Sequence, residues 1–309
     1  MRGCILRFSI DNRGDSMNDV AIRAKGLVKR FGDFTAVDGI DLEIRRGEIF
    51  GFLGPNGAGK TTTIRMLTTL SPPTEGIVEI DGREVSGLGD RAKEEIGIVQ
   101  QHISLDRDVT VLENIRYHAV LHRIPKAEAD TRISALVEMM GLEPYRDRLV
   151  VNLSGGWKRR VAIACCLIHK PSLLFLDEPT AGLDTQSRHM LWELVRRLNG
   201  DGRTVFLTTH YMDEAEALCD RVAIIDRGRL VRVGTPKELC ESIGAWAVEY
   251  GKSGAEEHRY FRSWEDSRAF LDSLPPGTPS ASRATNLEDV FLELTGREVS
   301  AVEEVKFRV

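Results

Sequence analysis

The stretch GPNGAGKTT, from Gly54 to Thr62, constrains this chain more than any other. It follows a short apolar strand, Glu48 to Leu53, and leads into a helical segment from about Lys60 to Thr69. In that context the pattern GxxxxGK[ST] folds into a backbone cradle for phosphate. The glycines let the chain curl so that several N–H groups point inward. The following helix offers the positive end of its dipole to the same anion. Gly54, Pro55, Asn56, Gly57, Ala58, Gly59, Lys60, Thr61 and Thr62 therefore read as a nucleotide-phosphate site. Lys60 is placed to reach the β- and γ-phosphates of ATP, and the Thr61 hydroxyl to ligate Mg²⁺.

A second feature is SLLFLDEPT, an apolar strand ending in Asp177-Glu178. On such a strand the first carboxylate comes beside the phosphate loop, where it can hold Mg²⁺ directly or through water. Glu178, the next residue, can reach an attacking water as general base. Alone, two carboxylates at a strand end are an ordinary solvated turn. The phosphate loop gives them their meaning.

Around these features the pattern alternates. Ala21 to Ile44 is strand-like, with turn residues at Gly32-Asp33 and Asp38-Gly39. Another strand, GIVEID, ends at Asp81-Gly82. Residues 109 to 170 carry apolar residues at helical spacing and read as a helical insertion. Strands return at SLLFLD, TVFLTT and RVAIID. Between the first two lies the helix SRHMLWELVRRLNG, closed by Gly200. Apolar strands alternating with helices predict an α/β fold with a largely parallel, buried sheet.

After about Pro236 the signals weaken. AWAVEY alternates like a strand, SWEDSRAFLDSL is helical in pattern, and PPGTPSAS is linker-like. In NLEDVFLELTG, Asn286 can cap a helix and Gly296 can end it. Its stripe Leu287, Val290, Phe291 and Leu294 must bury against something, by packing or by dimer contact. The expected divisions are 1–18, 19–238 and 239–309: an extension, a nucleotide-binding domain and a C-terminal accessory region. The extension is either disordered or upstream of a true start at Met17.

Composition narrows the class. A formal net charge of −5 speaks against a generic surface for nucleic acid. The longest uncharged apolar run near the middle, Val161 to Ile168, is far short of the roughly 20 residues that a bilayer needs. The five cysteines form no CxxC or Cys/His pairing, so neither a disulfide framework nor a zinc site is expected. Cys165 and Cys166, in an apolar helical stretch, read as small buried side chains in a reducing compartment.

Between the phosphate loop and the carboxylates stands LSGGWKRR, Leu153 to Arg160. With it the chain resembles the ATPase half of ABC transporters, and most closely the daunorubicin-resistance and nodulation-type exporter subfamily. The usual signature ends LSGGQ; here Trp157 replaces the glutamine, which puts in doubt any contact a glutamine would make. The resemblance covers about Val20 to Glu238 and, more weakly, the NLEDVFLELTG helix. It implies a P-loop core with an antiparallel β subdomain, a helical subdomain at about 104–164 and a small αβ tail.

It also implies roles. Ser154, Gly155 and Gly156 contact the nucleotide of an opposite subunit, although Ser-Gly-Gly is also a common helix start. Gln101 matches the Q-loop glutamine, near Mg²⁺ and the lytic water, with Gln100 adjacent and less favoured. Asp184, ending AGLD, matches the D-loop, or is a turn with a capping Asp. His210 matches the switch histidine. Phe31 matches the ring that stacks on adenine, and a core Phe is the competing reading. The implied activity is MgATP hydrolysis by a head-to-tail homodimer. It powers a separate multi-span permease at the cytoplasmic face of the membrane, with export of drugs, lipids or oligosaccharides. The rival is a soluble ABC ATPase that remodels nucleic acid or ribosomes. One cassette on an acidic chain opposes it.

Overall fold

A computed structural model describes residues 19–85, 94–252 and 255–296. The expectations for residues 1–18 and for Cys4 lie outside them. The described residues form two compact units: 19–49 with Thr61–Thr208, and Phe50–Lys60 with those from Thr209 to Gly296.

In the first unit, β1 (Val20–Phe31) and β2 (Phe34–Arg45) form an antiparallel hairpin across Gly32-Asp33. β4 (Glu75–Ile80) pairs with β1, and β5 (Arg83–Glu84) with β4. Asp38-Gly39 is not a turn. The pairing steps from Leu27↔Ile40 to Val28↔Asp38 and skips Gly39, whose φ is 71°. It is a bulge inside β2, a strand irregularity that a glycine accommodates and that imitates a turn in sequence.

Three parallel strands follow in the order β8-β7-β6: Ile96–Val99 (β6), Leu173–Asp177 (β7) and Thr204–Thr209 (β8). β7 and β8 are buried at every position, as expected where both faces are covered. The helix α1 (Lys60–Leu67) follows the glycine-rich loop. The region 109–170 holds α2 (Val111–Leu121), α3 (Lys126–Met140) and α4 (Gly155–Leu167). α2 starts at a reciprocal Thr110–Glu113 cap. α5 (Thr185–Gly200) buries Leu191, Trp192, Leu194, Val195 and Leu198 along one stripe. Gly200 does not close α5 from outside. It is the last helical residue, and the chain turns at Asp201 and Gly202, whose φ is 91°.

In the second unit, β3 (Ile49–Leu53) pairs in parallel with β9 (Arg221–Asp226), and β10 (Arg229–Gly234) pairs antiparallel with β9. α6 (Met212–Leu218) and α7 (Pro236–Ile243) flank these strands in sequence. The C-terminal sheet is β12-β11-β13: Trp246–Lys252 (β11), Ala255–Phe261 (β12) and Ser280–Ala284 (β13). α8 (Trp264–Ser273) packs on it. The segment read as a linker is thus strand in its last three residues. Ser280–Ala284 is recruited by β11, which supplies pairing partners that local composition cannot reveal.

α9 (Leu287–Thr295) carries the Asn286 cap and ends at Gly296 in the left-handed conformation. Leu287, Val290 and Phe291 are buried, and the helix packs on α6 and α7. The stripe is covered from within the chain. The Leu287 N–H donates to Glu216 Oε1 at 2.5 Å, tying α9 to α6. Phe291 is 1% exposed, so Phe291→Ala is expected to lower the unfolding free energy by about 3–5 kcal/mol in a denaturant titration.

Candidate functional site

The glycine-rich loop belongs to the second unit. A Cβ on Gly54 would lie 2.4 Å from the Ile225 carbonyl oxygen, so only glycine fits against β9. Gly57 and Gly59 hold φ of 79° and 108°, the backbone freedom that the curl requires. Lys60 is buried, and its Nζ donates to the carbonyls of Gly54 (2.8 Å) and Pro55 (3.1 Å). The ammonium is folded back across the loop. In the same unit, His210 follows β8, its ring 4.1 Å from that of Tyr211 between centroids.

Thr61, on α1, belongs to the first unit. Its hydroxyl lies 3.4 Å from Asp177 Oδ1, which also accepts a 2.6 Å bond from the Thr208 hydroxyl. Asp177 ends β7 and Thr208 lies on neighbouring β8, so the sheet itself sets this carboxylate. Two hard oxygens this close suit a small cation that takes oxygen ligands at about 2.1 Å, the preference of Mg²⁺.

Glu178 leaves β7 with φ of 45°, a left-handed conformation that costs a non-glycine residue about 1–3 kcal/mol. Surrounding bonds hold it there. Its N–H is shared between the Thr208 carbonyl (3.1 Å) and hydroxyl (3.0 Å). Its Oε2 accepts from Gln101 Nε2 at 3.1 Å. The structure thus brings Gln101, rather than Gln100, to the carboxylate. Gln100 is exposed, and its carbonyl is bound by Arg159.

Arg159, within LSGGWKRR, has no role in the sequence analysis. It is 3% exposed, and its guanidinium donates to the carbonyls of Gln100 (2.7 Å), Gln101 (3.2 Å) and, more distantly, Glu178 (3.4 Å). One buried fork thereby joins α4 to both the glutamine loop and the glutamate. Thr208 was missed as well. Its only signal is its place beside Asp177 on an adjacent strand, a non-local fact.

Ser154 stands at the start of α4, exposed, and its hydroxyl makes no capping bond. Ser-Gly-Gly does start a helix, with Ser154 at the cap position, but no side-chain cap accounts for the serine. Gly156 packs close to α5: a Cβ there would lie 3.0 Å from Ser187 Oγ. Asp184 does cap its helix, accepting from the Ser187 N–H (2.8 Å) and hydroxyl (2.7 Å). The first of these bonds is the main reason its acidity is raised. Ser154, Gly156, Asp184 and Ser187 share the wall of a pocket of about 380 Å³.

Phe31 is 55% exposed at the end of β1, which removes the core-Phe reading. Phe34, its partner across the hairpin, is equally open at 56% and was not singled out.

Beside Gln100 lies a recess of about 300 Å³ lined in part by His118, His122 and His169. His122 and His169 stack with centroids 3.9 Å apart. Burial, and next the neighbouring His122, push the His169 pKa down to about 4, against the bond to the Ile96 carbonyl. Arg132 and His118 act in the same direction as His122. The unfolded chain takes up this proton first, so stability is expected to fall as pH drops from 6.5 toward 4. Thermal unfolding across that range checks it, with His169→Gln losing part of the acid sensitivity. Burial also raises the thiols of Cys165 and Cys166, the latter to about 12, and keeps both inert.

Comparison with known proteins settles the family. A profile described as ABC transporter matches residues 37–181. Nod factor export ATP-binding protein I of Ralstonia nicotianae is 42% identical over 303 residues, spanning 90% of this chain and 94% of that protein. The chain belongs to the ABC transporter ATP-binding family. The protein of the same name from Cupriavidus metallidurans is 40% identical over 90% of this subunit and 98% of its own length. Among solved structures, cbiO1 from Clostridium perfringens, part of the complex cbiONQ, is 32% identical. Its TM-score is 0.66, over 72% of this chain and 91% of its own. The cassette MJ0796, described as a dimer in a post-hydrolysis state bound to ADP and Pi, is 30% identical. Its TM-score is 0.63, over 69% of this chain and 98% of its own. The subunit has the α/β fold of an ABC cassette.

Proposed function

We propose that this subunit hydrolyses MgATP as a head-to-tail homodimer and so drives a separate membrane permease from the cytoplasmic face, exporting drugs, lipids or oligosaccharides. Among the described residues no helix is long and apolar enough to cross a membrane. The observation that carries the reading is the Glu178 carboxylate, held by Gln101 and by a strained backbone one residue beyond the Thr61–Asp177 pair.

In this mechanism Phe31 stacks on adenine. The loop from Gly54 to Thr62 wraps the phosphates, and Lys60 carries the main positive charge to them. Thr61, Asp177 and Gln101 would hold Mg²⁺, and the ion would supply charge neutralisation for the phosphates. Glu178 takes the proton of the attacking water, and Gln101 orients that water. His210 contacts the γ-phosphate, while Ser154, Gly155, Gly156 and Asp184 close over it from the opposite subunit. The names of the relatives, exporters among them, support the transport role.

The test is steady-state ATPase activity of the full chain with and without Mg²⁺, together with co-purification from detergent-solubilised membranes. No phosphate release, or no membrane partner, refutes the corresponding half of the proposal. Arg159→Met is expected to lower the rate by about tenfold or more while sparing ATP affinity, because the Gln100 and Gln101 carbonyls lose this donor and the glutamine loop is freed. A wild-type rate would show that the fork plays no part.

A further inference from the structure

The α4 helix starts poorly by local criteria. Its first two residues are glycines, its cap position makes no side-chain bond, and its first turn has no acidic residue to meet the dipole. Yet this turn presents Ser154. Something else must hold it.

Trp157, the third helical residue, stacks on Tyr145 with ring centroids 4.3 Å apart and planes at 38°. Arg160, one turn on, lies 4.9 Å over the Trp157 ring and donates to the Met140 carbonyl at 2.8 Å. Arg148 lies 5.1 Å over the Tyr145 ring. The four side chains form one run, cation to ring to ring to cation, in which each neighbour attracts the next.

The segment bearing Tyr145 is itself anchored. Val111 and Leu112 donate backbone bonds to the carbonyls of Arg148 (3.0 Å) and Arg146 (2.9 Å). Val150 and Val151 donate to those of Val109 and Arg107, both at 3.1 Å. Tyr145 is thus fixed to the stretch that leads away from Gln101.

We propose that Trp157 is a positioning residue for Ser154: stacked on Tyr145 and covered by Arg160, it holds the first turn of α4 to the 145–151 segment. The proposal rests on the reading in which Ser154 meets the nucleotide of the opposite subunit. It gives the departure from LSGGQ a purpose, since a glutamine has no ring to enter this run.

The test uses the full chain, with circular dichroism to verify folding and three readouts: ATP affinity, ATP-driven dimerisation in a Glu178→Gln background, and steady-state turnover. Trp157→Ala is expected to bind ATP unchanged through its own loop, yet to dimerise and turn over about tenfold less well. Trp157→Phe keeps a ring and is expected to restore most of this. Tyr145→Ala should match Trp157→Ala, and the double variant should be no worse than either, because both remove one contact. Wild-type dimerisation by Trp157→Ala, or additive losses in the double variant, would overturn the proposal. Ser154→Ala separates the two levels. If it dimerises and turns over normally, the role given to Ser154 fails. If it is impaired while Trp157→Ala is not, only the role given to Trp157 fails.

Discussion

Glu178→Gln is expected to bind ATP, to hydrolyse it about 10²–10⁴ times more slowly, and to accumulate as an ATP-bound dimer. The substitution suits this position for a structural reason. Glu178 sits at φ 45°, where a branched side chain would add strain, and glutamine matches glutamate in shape. The bonds from Thr208 engage the backbone N–H and survive the exchange. The amide oxygen of the new side chain can still accept from Gln101 Nε2. What is lost is the basic oxygen that takes the proton in the proposed mechanism. The substitution also removes a negative charge near the γ-phosphate, so ATP affinity holds or rises. Uncleaved ATP then keeps two subunits together, since a ligand bound by the dimer stabilises it by mass action. Size-exclusion chromatography with light scattering, with and without ATP, reads this out. A monomer at saturating ATP would count against self-dimerisation, and a wild-type rate would remove Glu178 from the role of base.

Lys60→Ala is expected to weaken ATP binding by at least about 10²-fold, the effect of stripping one partner from a buried charge pair. Lys60 is 5% exposed, so water cannot replace the ammonium cheaply. The same change removes the ammonium that the Gly54 and Pro55 carbonyls share, leaving Pro55 only the Ala58 N–H, and the loop loses an internal brace even before nucleotide arrives. Titration calorimetry decides the matter. Undiminished affinity would mean that backbone N–H groups and the helix terminus suffice for the phosphates.

The parts legible in sequence are those with local causes. The loop at Gly54–Thr62 announces its own geometry, and β7, β8 and β9 are apolar runs that only a buried sheet accommodates. The α9 stripe, with Asn286 before it and Gly296 after, is a complete helix statement in eleven residues. The parts that were not legible depend on distant partners. Gly39 resembles a turn because a bulge and a turn ask the same freedom of glycine. β12 and β13 become strands only because β11 lies between them. Arg159 looks like surface charge among Lys158 and Arg160, and its burial follows from carbonyls some 58 residues away in the chain.

The union of α9 with α6 bears on how such chains can be recombined. A chimera that exchanges the tail at Pro236 would set a foreign helix on a native α6. It would then depend on Glu216 to receive the Leu287 N–H across 71 residues of sequence. The cut that respects the packing falls earlier, before Met212, and a graft made there carries its own α6 with it. That helix begins two residues after His210. A graft made there joins two residues after His210, so a donor chosen for its tail also replaces the helix that follows this histidine, while the histidine itself stays native.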